Sequence, residues 1–104
     1  MKLLRDYEGR TIRLTDERLK HILEHPEMKR MSRAIEETLS NPERVIQSMI
    51  DPDAHLYYRF YIGTVVGDKY LCVVVKIQQQ DAFVLTAYLT DTMKKGDVIW
   101  PKKS

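Results

Sequence analysis

Two histidines spaced four residues apart are the side chains of this sequence best suited to acid–base chemistry. His21 and His25 follow a helix-start pattern, and their spacing places both on one helix face together with Arg18. The apolar stripe of the same helix is centred about 120° away around the axis, so both imidazoles are predicted to flank the buried side. Because imidazole can exchange a proton near neutral pH, this face is a candidate catalytic surface.

The same segment matches a zinc-hydrolase signature. The run from His21 to His25 reads HILEH, the H-x-x-E-H pattern in which two histidines bind zinc and a glutamate activates water. Pro26 ends the helix directly after the second histidine, and a third ligand would have to come from His55 or from scattered acids. We therefore expect no metal and no cofactor. A zinc hydrolase, or two exposed histidines without a role, are the alternatives.

Length and composition predict one small globular domain over residues 1–104. The chain is 43% apolar and 31% charged, which is typical of a folded domain rather than a disordered segment. It has no apolar run of the ~20 residues that a membrane helix needs, no signal-peptide pattern and a single cysteine, Cys72. We expect a soluble, cytoplasmic protein without a membrane partner. The net charge of +2 indicates little, although Lys94, Lys95, Lys102 and Lys103 make the end of the chain locally basic.

The hydrophobic period changes near residue 44 and predicts an α+β fold. Residues 10–14 suggest a short strand. A short helix capped by Thr15 and a second helix over about 27–39 follow, so that helices occupy about 16–40. Strands with short connections then fill about 43–100, which predicts an antiparallel sheet of about four strands. The two helices are expected to pack on one face of that sheet.

Alternation along the strands predicts which side chains face the helices. On each strand, one set of alternate residues is mostly apolar and should be covered by the helices. These sets include every second residue from Leu56 to Ile62 and every second residue from Phe83 to Leu89. The opposite, open face should collect Tyr57, Arg59, Tyr61, Lys76, Thr86, Tyr88 and Thr90. No acid is among these seven, so the surface suits a phosphate backbone, with tyrosines available to stack on bases. A solvated sheet face with ordinary cross-strand pairs is the alternative interpretation.

Four stretches in order carry a resemblance to a known family. They are RLTDERLKHILEHPEM, IEETLSNPERVIQSMIDPDAHLYYRFY, KYLCVVVKIQ and FVLTAYLTDTMKKGDVIW. Together they cover about residues 13–100 and resemble the phage-associated Barnase–EndoU–colicin–RelE-like (BECR) nucleases, in the second of their phage-type groups. The resemblance implies helices packed on a four-stranded antiparallel sheet. It also implies a metal-independent ribonuclease that serves as a toxin or effector of a phage or mobile element, with an antitoxin or immunity protein as a possible partner.

The resemblance also implies an active site that joins a first-helix histidine to basic and hydroxyl residues on the strands. The predicted catalytic residues are His21, His25, Arg59, Thr86 and Tyr88, and the predicted substrate-binding residues are Arg18, Tyr57, Tyr61 and Lys76. The expected reaction is RNA cleavage by transesterification from the ribose 2′-OH. The first helix is expected to pack on the face opposite Arg59 and Thr86. One site therefore forms only if His21 reaches around a sheet edge or the helix lies at that edge. The alternative function is a non-catalytic module that binds RNA or a protein on the open face.

Overall fold

The computed structural model describes residues 1–102, so Lys103 of the basic end lies outside the described residues. The strands are β1 (Lys2–Arg5), β2 (Thr11–Leu14), β3 (Arg44–Ser48), β4 (Ala54–Thr64), β5 (Gly67–Gln78), β6 (Asp81–Thr90) and β7 (Gly96–Trp100). The helices are α1 (Asp16–Leu23) and α2 (Ser32–Ser40), with a 3₁₀ turn at Pro26–Met28 between them. Within residues 1–102, no helix is long and apolar enough to cross a membrane.

The sheet is larger than the sequence predicts. It has seven strands in the order β1-β2-β6-β5-β4-β3-β7, where about four were expected. It is mixed, because β2 runs parallel to β6 while the other pairings are antiparallel. The α+β class is confirmed. Strand β1 escapes prediction because its four residues bury Leu4 alone, which is too short a stretch to display a period.

Local capping and proline geometry determine where the first helix begins and ends. Thr15 caps α1 as predicted, since its hydroxyl accepts a hydrogen bond from the Arg18 amide at 3.1 Å. His25 is extended, with φ −72° and ψ 123°, because a residue before proline is disfavoured in helical geometry. The second helix was expected from about residue 27. Residues 26–28 instead form the 3₁₀ turn, and α2 begins at Ser32.

The main core lies between the helices and one face of the sheet, called here the helix face. Ile22 of α1 and Ile35 and Leu39 of α2 pack with Leu71 and Val73 of β5. Helix α2 crosses β5 and β4, whereas α1 contacts β6. β2 pairs with β6 at Arg13 and Phe83, and the chain enters α1 three residues after Arg13. Helix α1 therefore lies beside β6, which is the third strand in the sheet order and not one of its two edge strands.

Strand β4 presents the opposite faces from those predicted. Tyr57 pairs with Val73, and Arg59 pairs with Leu71, so both belong to the helix face. Leu56 and Tyr58 point to the open face and form a second, smaller core there with Ile46 and Cys72. The prediction for β4 was wrong because large apolar side chains lie on both faces of this strand. A tyrosine ring can be buried when its hydroxyl finds a partner, so periodicity alone could not choose the buried row.

A β-bulge in β6 sets the faces of its two halves. Val74 pairs with Thr86, but Val75 pairs with Val84, which leaves Leu85 as an extra residue. Thr86 and Tyr88 therefore lie on the open face, as predicted. Before the bulge the alternation is reversed, so Val84 enters the helix-face core and the prediction for Phe83 was wrong.

Candidate active site

Helix α1 and strand β6 border a cleft that contains both histidines. This histidine cleft has a volume of about 420 Å³ and is lined by Thr15, Glu17, Arg18, His21, Ile22, His25 and Thr86. Ile22 anchors α1 in the core, which leaves Arg18 and His21 on the exposed side of the helix. Thr86 contributes the open face of β6. Four of the sequence-predicted site residues, Arg18, His21, His25 and Thr86, are therefore brought together.

Carboxylates lie close to both imidazoles of the histidine cleft. His21 Nδ1 is 3.3 Å from Glu24 Oε1, and His21 Nε2 is 3.7 Å from Glu17 Oε1. His25 Nδ1 is 3.8 Å from Glu27 Oε1. The histidine side chains are 60% and 71% exposed respectively, so solvent and a ligand can both reach them. Glu17 and Glu24 lie one helical turn from His21, and Glu27 of the following 3₁₀ turn lies near His25, so acids flank two accessible proton-transfer groups.

A second cleft adjoins the first and shares Thr86 with it. This lysine cleft has a volume of about 440 Å³. Its floor contains Ala54, Leu56, Val74 and the ring of Tyr88; residues 48–50 form one side, and Lys94 and Lys95 the other. Thr86 therefore stands between a polar cleft with imidazoles and an apolar cleft with two ammonium groups.

The comparison with known families agrees with this arrangement. The family model described as phage-Barnase-EndoU-ColicinE5/D-RelE like nuclease2 matches residues 1–102. The chain belongs to this family. The predicted resemblance is confirmed, and membership in a BECR nuclease family supports a nuclease function. No curated protein and no solved structure matches the chain.

Among the residues predicted for the BECR nuclease site, Arg59 and Tyr61 lie elsewhere. Arg59 donates a hydrogen bond to the Asn41 carbonyl at 3.0 Å, and its Nε is 3.4 Å from Glu37 Oε1. The Tyr61 hydroxyl donates to the same Glu37 oxygen at 2.6 Å. That hydrogen bond, and then the Arg59 charge, lower the pKa of Glu37, while burial raises the pKa of Tyr61 to about 12. These side chains join β4 to α2 on the helix face.

Tyr57 is buried in a polar network and does not reach the open face. Its hydroxyl donates to Asp6 Oδ2 at 2.6 Å, and Arg10 approaches the same carboxylate oxygen at 2.7 Å. Two backbone amides, those of Glu8 and Arg10, donate to the other Asp6 oxygen. The predicted substrate-binding role of Tyr57 is incompatible with complete burial.

Lys76 lies on the open face, as predicted, but with a counter-charge. Its ammonium pairs with the Asp51 carboxylate, a contact that raises the pKa of Lys76 and lowers that of Asp51. Sorting strand residues by sheet face could not reveal this partner, because Asp51 lies in the β3–β4 loop. The pair joins that loop to β5.

The Tyr88 hydroxyl is buried, although its ring lines the lysine cleft. It lies beside the Cys72 thiol and the Tyr58 hydroxyl, and burial is the main cause that raises the pKa of Tyr88 and of Cys72. A buried hydroxyl is not accessible to a phosphate in the cleft, which argues against the predicted role of Tyr88 in orienting phosphate. The ring is left as the part that a ligand can touch.

Sequence reasoning missed the cleft roles of Glu17, Lys94 and Lys95. The basic end of the chain was a visible signal for the two lysines, but their position beside Thr86 depends on how the β6–β7 connection folds over the open face. Among residues 1–102, no group of three or more His, Cys, Asp or Glu side chains is arranged to hold a metal ion. The third ligand that the zinc alternative requires is therefore not supplied there.

Proposed function

We propose that this protein is a metal-independent endoribonuclease that cleaves RNA by transesterification. The observation that carries the proposal is that His21, His25, Arg18 and Thr86 line one accessible cleft. Two imidazoles supply the base and the acid that such a reaction needs. A guanidinium supplies the charge that stabilises a phosphorane-like transition state in the absence of a metal.

The proposed reaction has one bond-forming and one bond-breaking event at phosphorus. One imidazole removes the proton of the ribose 2′-OH, and that oxygen attacks the adjacent phosphorus. The bond from phosphorus to the 5′-oxygen breaks, and the second imidazole, protonated beforehand, gives its proton to that oxygen. The products are a 2′,3′-cyclic phosphate and a 5′-hydroxyl. Arg18 binds the phosphate oxygens that gain charge, and the Thr86 hydroxyl donates a hydrogen bond to one of them.

Cleavage of single-stranded RNA in EDTA tests the proposal. We expect cleavage to persist in EDTA and to leave 2′,3′-cyclic phosphate ends, and we expect a 2′-O-methyl oligonucleotide to resist cleavage because it lacks the 2′-OH proton. Replacing His21 and His25 together by alanine should lower the rate by about 10²–10⁴-fold, the usual contribution of acid–base groups. Both side chains are exposed, so the free energy of unfolding should hardly change.

A third histidine provides the matched control. His55 lies in β4 outside both clefts, so His55→Gln should leave the cleavage rate within about twofold of wild type. Cleavage that stops in EDTA, or that survives the His21→Ala/His25→Ala change, would contradict the proposal. RNA that is bound but never cut would favour the non-catalytic binding module.

We further propose that the nuclease acts as a toxin or effector of a phage or mobile element, held in check by an antitoxin or immunity protein. Its family supports this proposal. Induced expression in a bacterial cytoplasm should stop growth, whereas the His21→Ala/His25→Ala variant should be tolerated at the same protein level. Equal toxicity of the two proteins would contradict a toxin role based on RNA cleavage.

A further inference from the structure

The lysine cleft has an apolar floor that is continuous with the histidine cleft. Leu56 and Val74 form this floor on the open face of the sheet, and the Tyr88 ring lies beside them. Thr86 lines both clefts. A chain whose phosphate lies at Thr86 can therefore continue into the lysine cleft on one side.

The side of the cleft formed by the β3–β4 loop is held in place while exposing large apolar side chains. Met49 is 78% exposed and Ile50 is 94% exposed. The loop that carries them is fixed, because the Ser48 hydroxyl accepts hydrogen bonds from the amides of Ile50 and Asp51, each at 3.2 Å. The ion pair between Lys76 and Asp51 fixes the same loop from below. An ordered loop that keeps apolar groups in water beside an apolar floor is typical of a binding surface.

The opposite side of the cleft is basic and is also fixed. The amide of Lys94 donates a hydrogen bond to the Tyr58 hydroxyl at 3.0 Å, which holds this connection against the sheet. Lys94 and Lys95 are exposed, and the cleft lining within residues 1–102 includes no Asp or Glu. The combination of an apolar slot and an uncompensated pair of ammonium groups complements a flat heterocycle attached to a phosphodiester.

We infer that the lysine cleft is a nucleobase subsite. It takes the base of a nucleotide adjoining the phosphate bound in the histidine cleft, while Lys94 and Lys95 bind the next phosphate along the strand. This inference rests on the proposed ribonuclease function, because it extends the same substrate across Thr86. Stacking on an aliphatic and aromatic floor is tolerant of sequence, so the subsite favours single-stranded RNA over a duplex, whose bases are already stacked.

Binding of an uncleavable oligonucleotide separates the base from its backbone. The probe is a fluorescent 2′-O-methyl octanucleotide of mixed sequence, compared by anisotropy with an abasic chain of the same length and charge. We expect wild type to bind the base-containing chain about tenfold more tightly or better, the usual effect of stacking one or more bases. Val74→Phe, which fills the floor, and Met49→Ser/Ile50→Ser, which removes the exposed side, should each reduce that ratio towards one.

Charge variants test the phosphate contact independently. Lys94→Ala/Lys95→Ala should weaken the binding of the base-containing and the abasic oligonucleotide by a similar factor and make binding less dependent on salt. The matched control is Lys29→Ala/Arg30→Ala, which removes two exposed cations outside both clefts and should weaken binding less. The Met49→Ser/Ile50→Ser variant changes only exposed side chains, so it answers the question even if Val74→Phe fails to fold.

A base-to-abasic ratio near one for wild type would overturn the inference, as would an unchanged ratio in Met49→Ser/Ile50→Ser. A base-to-abasic ratio near one is what we expect of wild type if the cleft instead takes an apolar side chain of an inhibitory protein. The binding measurement does not depend on cleavage. Absence of RNA cleavage in every condition would therefore overturn the proposed function, whereas loss of base dependence in a cleaving enzyme would overturn the base subsite alone.

Discussion

The cations of the helix face and those around the two clefts differ in whether a carboxylate already holds them. Arg59 is held by Glu37, and Arg10 is held by the buried Asp6. Among residues 1–102, Arg18 in the histidine cleft has no ion pair, and the same is true of Lys94 and Lys95. A cation with a fixed carboxylate partner contributes to the fold, whereas one without such a partner can bind a phosphate. The residue type is shared by both regions, so the partner decides the role.

Breaking the most buried contact of the helix face should give the largest effect. The Asp6 side chain is fully buried and accepts hydrogen bonds from Tyr57, Arg10 and two backbone amides. Asp6→Ala leaves those donors without a partner, and such losses typically cost about 3 kcal/mol or more. We expect the free energy of unfolding, measured by urea denaturation, to fall by that amount.

An exposed aspartate serves as the control for this prediction. Asp16 pairs with the N-terminal amino group but is 85% exposed, so Asp16→Ala should change the free energy of unfolding by less than ~0.5–1 kcal/mol. If the two variants lost similar stability, the carboxylate at Asp6 would not be the centre of the network that we describe.

The first helix and the exposure of its histidines could be predicted because the signals are local. Thr15 as the cap, the break before Pro26 and the exposure of His21 follow from neighbours within four residues. The face of β4 could not be predicted. Tyr57 can be buried because Asp6, 51 positions earlier, accepts a hydrogen bond from its hydroxyl, and no pattern within the strand reports that partner.

The rest of the candidate site depends on pairings that are distant in sequence. The bulge at Leu85 reverses the alternation of β6 and keeps Thr86 and Tyr88 on the open face. The sheet order brings β6 beside α1, which places Thr86 next to His21. The partners of Arg59 and Lys76 lie in α2 and in a loop, so sorting residues by strand alone mistook two paired cations for free ones.

Cleavage rates should distinguish Arg18 of the histidine cleft from Arg59 of the helix face. Arg18→Ala removes the guanidinium of the histidine cleft, so we expect RNA cleavage to slow by about 10- to 100-fold, at the low end of losses for an electrostatic donor because the cleft is open. Arg59→Ala removes an arginine of the helix face and should leave the cleavage rate within about twofold. Initial rates on a fluorogenic single-stranded RNA measure both.

Stability should respond in the opposite order. Arg59→Ala loses contacts with Asn41 and Glu37 and should lower the free energy of unfolding by about 0.5–1 kcal/mol, the range for partly exposed pairs, whereas Arg18→Ala should be nearly neutral. A slower rate in Arg59→Ala than in Arg18→Ala, at equal folded fraction, would show that the phosphate lies on the helix face and that our assignment of the site is wrong.

The smallest expected effect is a pH dependence of stability that comes from the helix face. Burial, and then the positive charge of Arg10, lower the pKa of His55. Below its ordinary pKa of about 6.5, the unfolded chain binds a proton at His55 more readily than the folded chain does. The contribution of neutral His55 to stability is therefore complete above about pH 6.5 and declines as the pH falls below that value, until the folded-state pKa is passed.

His55→Gln should flatten this part of the profile. The imidazole is only half-buried, so the loss of stability between pH 7.5 and 5 should differ between the two proteins by less than the ~1.4 kcal/mol of one full pKa unit. Urea denaturation at half-unit steps between pH 7.5 and 5 resolves it, because acids elsewhere affect both proteins equally. A steeper loss of stability in His55→Gln would mean that the helix face favours the charged imidazole. In that case Asp6 and Glu8, the nearby acids, would outweigh Arg10 and burial there.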